Sequence, residues 1–322
     1  MPMKGFKPTR ATGLPKSSKL AALAVVVALI VGFSIYAAFL ATGHRRPVAT
    51  SACAMPSSSR SSAPPRPGGY CQLVPAGRFA SLPSDTQAAA AVHYSSWEPR
   101  PQNDAANHRV PSPRFTTAGV TGAYGLVHRR ELFGRITGAF TGTTDEIIQW
   151  VAAKWGLPDD LIRAQAVQES NWYQDLKDVR EQPISGDGYG DFGSCNGRGS
   201  PSPSGYGKSG PSSFGLMQDK WCVFQNGAAG ANHYGGWPWT ELSTAYSIEQ
   251  YAAYVRGCLE GWNQWLGTVG PIRTDYHAGD LWGCVGSWYS GYWYDNGPIK
   301  STPYIESVRH LFEAKPWLRW AG

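Results

Sequence analysis

The chain has 322 residues, which is room for one or two domains plus flanking segments. Its net charge of +6 is unevenly spread: residues 1–139 carry 16 Lys+Arg against 4 Asp+Glu, and residues 140–322 carry 13 against 19. The basic pI therefore belongs to the N-terminal part. The acidic C-terminal part is a poor partner for a phosphate backbone, which argues against nucleic acid as the partner.

Residues 1–19 form a basic tail with Lys4, Lys7, Arg10, Lys16 and Lys19. Leu20 to Ala41 follows as 22 nearly all apolar residues, long enough to cross a hydrocarbon core as one helix. Arg45 and Arg46 come after it, but the larger basic cluster before it orients the N-terminus inside and everything after Thr42 outside. A cleaved signal peptide is the rival, with Ala41-Thr42-Gly43 as its cleavage site. Signal cores run about 7–15 residues, so the length favours an uncleaved single-pass anchor. Either way the remainder is exported.

Residues 42–84 are rich in Pro and Ser and read as a disordered tether. Residues 85–142 read as an accessory segment. Within it Asp85–Ser95 looks helical with Asp85 as N-cap, Pro99 and Pro101 end that pattern, and no clear period follows. Six cysteines in an exported chain imply disulfides, and proximity pairs Cys53 with Cys71, Cys195 with Cys222, and Cys258 with Cys284. No Cys-x-x-Cys spacing occurs and the seven His are scattered, so neither metal nor cofactor is expected.

Residues 143–322 read as the main domain. Thr143-Thr144-Asp145-Glu146 has the capping-box form, and Ile147, Ile148, Val151 and Trp155 then recur at helical spacing up to a Gly156 stop. Pro158 and Asp159 open a second helix. It carries Leu161, Ile162, Gln165 and Glu169 on one side and ends in Glu169-Ser170-Asn171-Trp172. A carboxyl buried beside an aromatic is harder to ionise, and a Glu raised to about pH 6–7 can protonate a leaving oxygen. Helix position alone favours a plainer account, a Glu exposed at a helix end or held in an ion pair. A Gly/Ser/Pro-rich stretch around Cys195 reads as a surface loop. Ser247-Ile248-Glu249-Gln250 looks like another capping box, and Asp280–Trp288 and Pro303–Phe312 read as helices. Strand-like alternation is nearly absent, so the fold class is mostly α. Thirteen of the 14 Trp follow Ala139; core packing accounts for most, with room for a Trp-lined groove.

AQAVQESNW resembles the first motif of the lytic transglycosylase family with the soluble-transglycosylase (SLT) fold, in the lysozyme-like superfamily. SSFGLMQ, Ser212 to Gln218, is similar to that family's Gly-Leu-Met-Gln run. WYSG, Trp288 to Gly291, is similar to its Tyr-Asn-x-Gly motif. The three stand in family order across nearly half the chain. The departures are the long insert between the first two motifs, Ser212 and Ser213 where Gly and Ala are usual, and Ser290 for Asn.

The resemblance implies a lysozyme-like helical domain with a substrate cleft. It implies Glu169 as catalytic acid/base and Ser170 as its orienting neighbour. Ser213, Met217 and Gln218 would line the cleft on the substrate side, and Tyr289 would bring its hydroxyl near the carboxyl. The implied substrate is peptidoglycan glycan strands, cut at the MurNAc-GlcNAc β-1,4 bond to leave 1,6-anhydro ends, with cell-wall synthesis or division proteins as further partners. The alternatives are a hydrolytic muramidase, with Asp175, Asp187 or Asp191 as second carboxylate, and a non-catalytic wall-binding scaffold.

Overall fold

Thr143 opens the first long helix as read from the sequence. Its side chain accepts from the Glu146 N–H while the Glu146 carboxylate accepts from the Thr143 N–H at 2.9 Å. The computed structural model describes residues 52–56, 59–112, 128–175, 213–221 and 236–321, all within the unit Ala49–Gly322. In chain order the helices are α1 (Asp85–Ala89), α2 (Asp104–Asn107), α3 (Arg129–Phe133), α4 (Thr144–Trp155), α5 (Asp159–Ser170), α6 (Trp239–Leu242), α7 (Thr244–Leu259), α8 (Leu281–Ser290) and α9 (Thr302–Ala314). A two-stranded antiparallel hairpin, β1 (Ser213–Phe214) and β2 (Asp219–Lys220), lies between α5 and α6 in the chain. It pairs Ser213 with Lys220 and Phe214 with Asp219. The described chain is thus mostly helical.

Helix α7 is buried along its whole length, with α4 and α8 packed against it. Helix α5 packs on α4 and, most extensively, on α9. Trp150, Trp155, Trp172 and Trp317 are wholly buried. Shielding a side chain of that size contributes at least roughly 1.5–3 kcal/mol each. Most Trp therefore serve packing.

The N-terminal end of α5 is fixed by a buried ion network. Arg163 donates to Asp145 at 2.7 Å, to Asp159 at 2.7 Å and to Asp160 at 2.9 Å, with the guanidinium wholly buried. Burial pulls the guanidinium pKa down, but Asp145 and Asp159, then Asp160, push it net above its ordinary value. Asp160 also holds Lys315 at 2.5 Å, which ties α5 to the end of α9.

Residues 59–84 are no loose tether, which corrects the sequence expectation. Cys71, Val74 and Leu82 are buried, and Cys53 is bonded to Cys71. Composition misled because the few apolar side chains that the strap buries are supplemented by polar contacts to distant residues. The Tyr70 and Cys71 N–H groups donate to Asp159 at 2.9 and 3.0 Å. The Val74 and Pro75 carbonyls accept from Arg256 at 2.7 and 2.9 Å. The Val74 N–H bonds the carbonyl of Gly156, which caps α4 at φ 63. A Cβ at Gly156 would strike Val74 and Leu82, so glycine there serves both the left-handed turn and the docking of the strap.

The accessory segment continues the strap. Ser95 N–H donates to Glu146 at 2.7 Å and Thr144 N–H to Glu98 at 2.6 Å. The folded domain therefore begins near Cys53 and not at Thr143.

Two helix starts differ from expectation. Ser84, not Asp85, caps α1 with a capping box completed by Gln87. Ser243, not Ser247, caps α7; Ser247 lies inside that helix and turns its hydroxyl to Asp219. Cys258 pairs with Cys284 as read. The Cys195–Cys222 pairing, Asp187, Asp191 and the apolar run 20–41 lie outside the described residues, and among the described residues no helix is long and apolar enough to cross a membrane.

Candidate active site

Glu169 stands one residue before the C-terminal end of α5, which stops because Asn171 adopts a left-handed conformation at φ 53. Trp172 follows at φ 68 and drops into the core, its indole N–H donating to the Arg163 carbonyl at 3.0 Å. The half-buried Glu169 receives the Tyr304 hydroxyl on Oε1. That hydroxyl in turn accepts from Gln165 Nε2 at 2.8 Å, and Gln165 Oε1 accepts from the Tyr251 hydroxyl at 2.7 Å. Because Tyr304 oxygen is already an acceptor from Gln165, its proton points to Glu169. Burial first, then the charge of Glu169, raises the Tyr304 and Tyr251 phenols well above their ordinary value, so both remain donors.

Ser170 fastens the next wall of the site. Its hydroxyl lies 2.8 Å from the Leu216 carbonyl, so the turn Gly215–Gln218 is pinned to the end of α5. Gly215 adopts φ 74, and a Cβ there would collide with the Thr240 carbonyl and the Ser247 hydroxyl. Only glycine lets the turn lie this close to α6 and α7. Ser213 is half-buried on β1, at the base of the same hairpin.

One expected role is corrected. Met217 does not line a cleft: it is wholly buried in the core, and its carbonyl accepts from the Trp288 indole at 3.3 Å. The hydroxyl on Glu169 Oε1 is that of Tyr304, and Tyr289 stacks on Tyr304, with ring centroids 4.5 Å apart and planes 3° off parallel. Tyr289 is 40% exposed, so the pair runs from the buried acid out to the surface. Gln218 is half-buried at φ 54, and its side-chain amide donates back to the Gly215 carbonyl at 3.0 Å. Its amide therefore stabilises the turn in this state.

Sequence reasoning missed Tyr304 and Asp219. Tyr304 sits on the buried face of α9 with Ile305 and Val308, where a tyrosine reads as core. Asp219 is wholly buried on β2 and accepts from the Ser247 hydroxyl at 2.5 Å; its Oδ1 meets no hydrogen-bond partner. Burial raises its carboxyl well above the ordinary range, Ser247 opposes this, and the charge of Glu169 adds to it. Asp175, the other described candidate for a second carboxylate, is exposed.

A cavity of about 180 Å³ lies elsewhere, under the strap, lined by Tyr70, His93, Tyr94, Asp145 and Gln149 among others. It touches none of the site residues. Among the described residues no group of three His, Cys, Asp or Glu side chains gathers to hold a metal ion. No protein-family model, curated protein or solved structure matches this chain.

Proposed function

We propose that this chain is an exported, membrane-anchored lytic transglycosylase with a lysozyme-like domain, cutting peptidoglycan glycan strands with Glu169 as its acid/base. The observation that carries the reading is the Glu169–Tyr304 pair: a half-buried carboxyl at a helix end, held through one oxygen by an oriented phenol. Such a carboxyl can give a proton to a leaving oxygen and take one back from an attacking hydroxyl. In the first step Glu169 protonates the glycosidic oxygen, and the bond from that oxygen to the anomeric carbon of the muramyl sugar breaks. In the second step the carboxylate removes the proton of the six-position hydroxyl of the same sugar. That oxygen bonds to the anomeric carbon, closing a 1,6-anhydro ring. No water is consumed, and the acid is restored.

One carboxyl suffices for this sequence, whereas glycoside hydrolysis in its usual forms needs two flanking the bond. Among the described residues Asp219 is wholly buried and Asp175 is exposed, so neither of these two favours the second role. Intramolecular attack also gains from proximity, by up to about 7–11 kcal/mol in well-oriented cases.

Mass spectrometry of the ends released from purified sacculi tests the reaction type. Anhydro-muramic ends, lighter by one water, are expected. Reducing muramic ends alone would assign a hydrolytic muramidase, and no released fragment would leave a wall-binding scaffold.

A further inference from the structure

Gln174 is a buried amide whose donor and acceptor are both committed to backbone groups of other segments. Its Oε1 accepts from the Leu216 N–H at 2.9 Å. Its Nε2 donates to the Glu241 carbonyl at 2.8 Å and the Thr240 carbonyl at 3.3 Å. Its own N–H donates to Asn103 Oδ1 at 2.9 Å. Asn103 belongs to the segment before the helical domain and is also buried. Its Nδ2 donates to the Trp172 carbonyl at 2.7 Å and to Thr144 Oγ1 at 3.0 Å. Arg100, three residues earlier, donates to the Asn171 carbonyl at 2.8 Å.

These bonds take over the backbone of the two left-handed residues that end α5. A continuous chain of contacts thus runs from Asn103 to Gln174 to Leu216, while Ser170 closes the circuit from Leu216 back to the Glu169 end of α5. Removing one partner of a buried hydrogen bond leaves the other unsatisfied at a cost of about 1–3 kcal/mol. The relay therefore has the stiffness to fix one segment against another.

We propose that Asn103 and Gln174 are positioning residues that set the Gly215–Gln218 turn against the Glu169 end of α5. The segment preceding the helical domain then governs how firmly the site holds its glycan. This rests on the glycan-cleaving reading for its functional part and on geometry alone for its positional part.

The test uses the full chain with Gln174→Met, Gln174→Glu and Asn103→Leu, read by hydrogen–deuterium exchange and by kinetics on purified sacculi. Exchange at residues 215–218 is expected to rise about 10-fold in Gln174→Met, the equivalent of one hydrogen bond, while α4 and α7 keep their protection. Asn103→Leu should raise exchange at the same amides although Asn103 touches none of them.

In kinetics, KM for sacculi should rise more than kcat falls, with kcat/KM lower by on the order of 10- to 100-fold. Gln174→Glu should recover toward wild type as pH falls, because a protonated Glu regains a donor for the Glu241 carbonyl. Unchanged exchange at residues 215–218 in Gln174→Met and Asn103→Leu would overturn the positioning. So would an active Gln174→Met with unchanged KM. Wild type that releases no fragment would overturn the glycan reading, and the exchange result would then decide the positioning by itself.

Discussion

The two ends of α5 solve opposite problems with acidic side chains. At the N-terminal end Asp145, Asp159 and Asp160 are buried around Arg163, with Lys315 and the strap N–H groups of Tyr70 and Cys71 completing their bonding. The buried guanidinium and the carboxylates around it compensate one another, as buried charges must. At the C-terminal end Glu169 is half-buried and takes a neutral phenol on Oε1. A phenol donor tolerates either protonation state of its partner, as an acid/base requires. The first end anchors the helix through buried charge, and the second offers a half-buried carboxyl near the surface.

Three experiments would break or sharpen this contrast. A chain beginning at Thr143 removes the strap contacts to Asp159, Glu146 and Arg256 and should show no cooperative thermal unfolding by circular dichroism, whereas one beginning at Ala49 should melt in a single transition. Cooperative melting of the shorter chain would show that the anchored end needs no strap. Next in size, Arg163→Met removes the buried cation shared by three carboxylates. It should lower the urea-unfolding free energy by about 3–5 kcal/mol, and a loss under 1 kcal/mol would place the network with weak surface pairs.

The smallest effect is expected at Asp219, which lies behind the Glu169 end. Its pKa is higher folded than unfolded, because burial, reinforced by Glu169, disfavours its charge. The folded state therefore binds more protons, and the stability this residue contributes is greatest below its unfolded pKa and declines as pH rises toward the folded one. Asp219→Asn should be more stable than wild type at neutral pH, with the gap closing on acidification. A gap that widens in acid would reverse the sign.

Much of the anchored end was legible in the sequence. The Thr143 capping box, the Gly156 stop and the Pro158-Asp159 start are local signals, and local rules decide them. The strap was not legible, because a Pro/Ser-rich stretch shows no apolar period and its partners, Asp159 and Arg256, lie 89 and 182 residues away. At the other end Ser170 meets the Leu216 carbonyl of the Gly215–Gln218 turn. The Tyr304 partner of Glu169 was missed for the same reason of distance: it lies 135 residues on, on an amphipathic helix whose pattern gives no sign of what its hydroxyl reaches. Ser247 was misread as a cap since its Ser-x-x-Gln spacing is also met inside a helix that begins one turn earlier, at Ser243.

The most direct test of the acid/base assignment is fragment release from dye-labelled sacculi by wild type, Tyr304→Phe and Glu169→Gln, each checked for folding and for sacculus binding. Glu169→Gln is expected to lose on the order of 100-fold or more in rate, as loss of a general acid does, with binding kept. Tyr304→Phe is expected to fall between it and wild type. A folded Glu169→Gln chain that releases fragments at the wild-type rate would contradict the assignment.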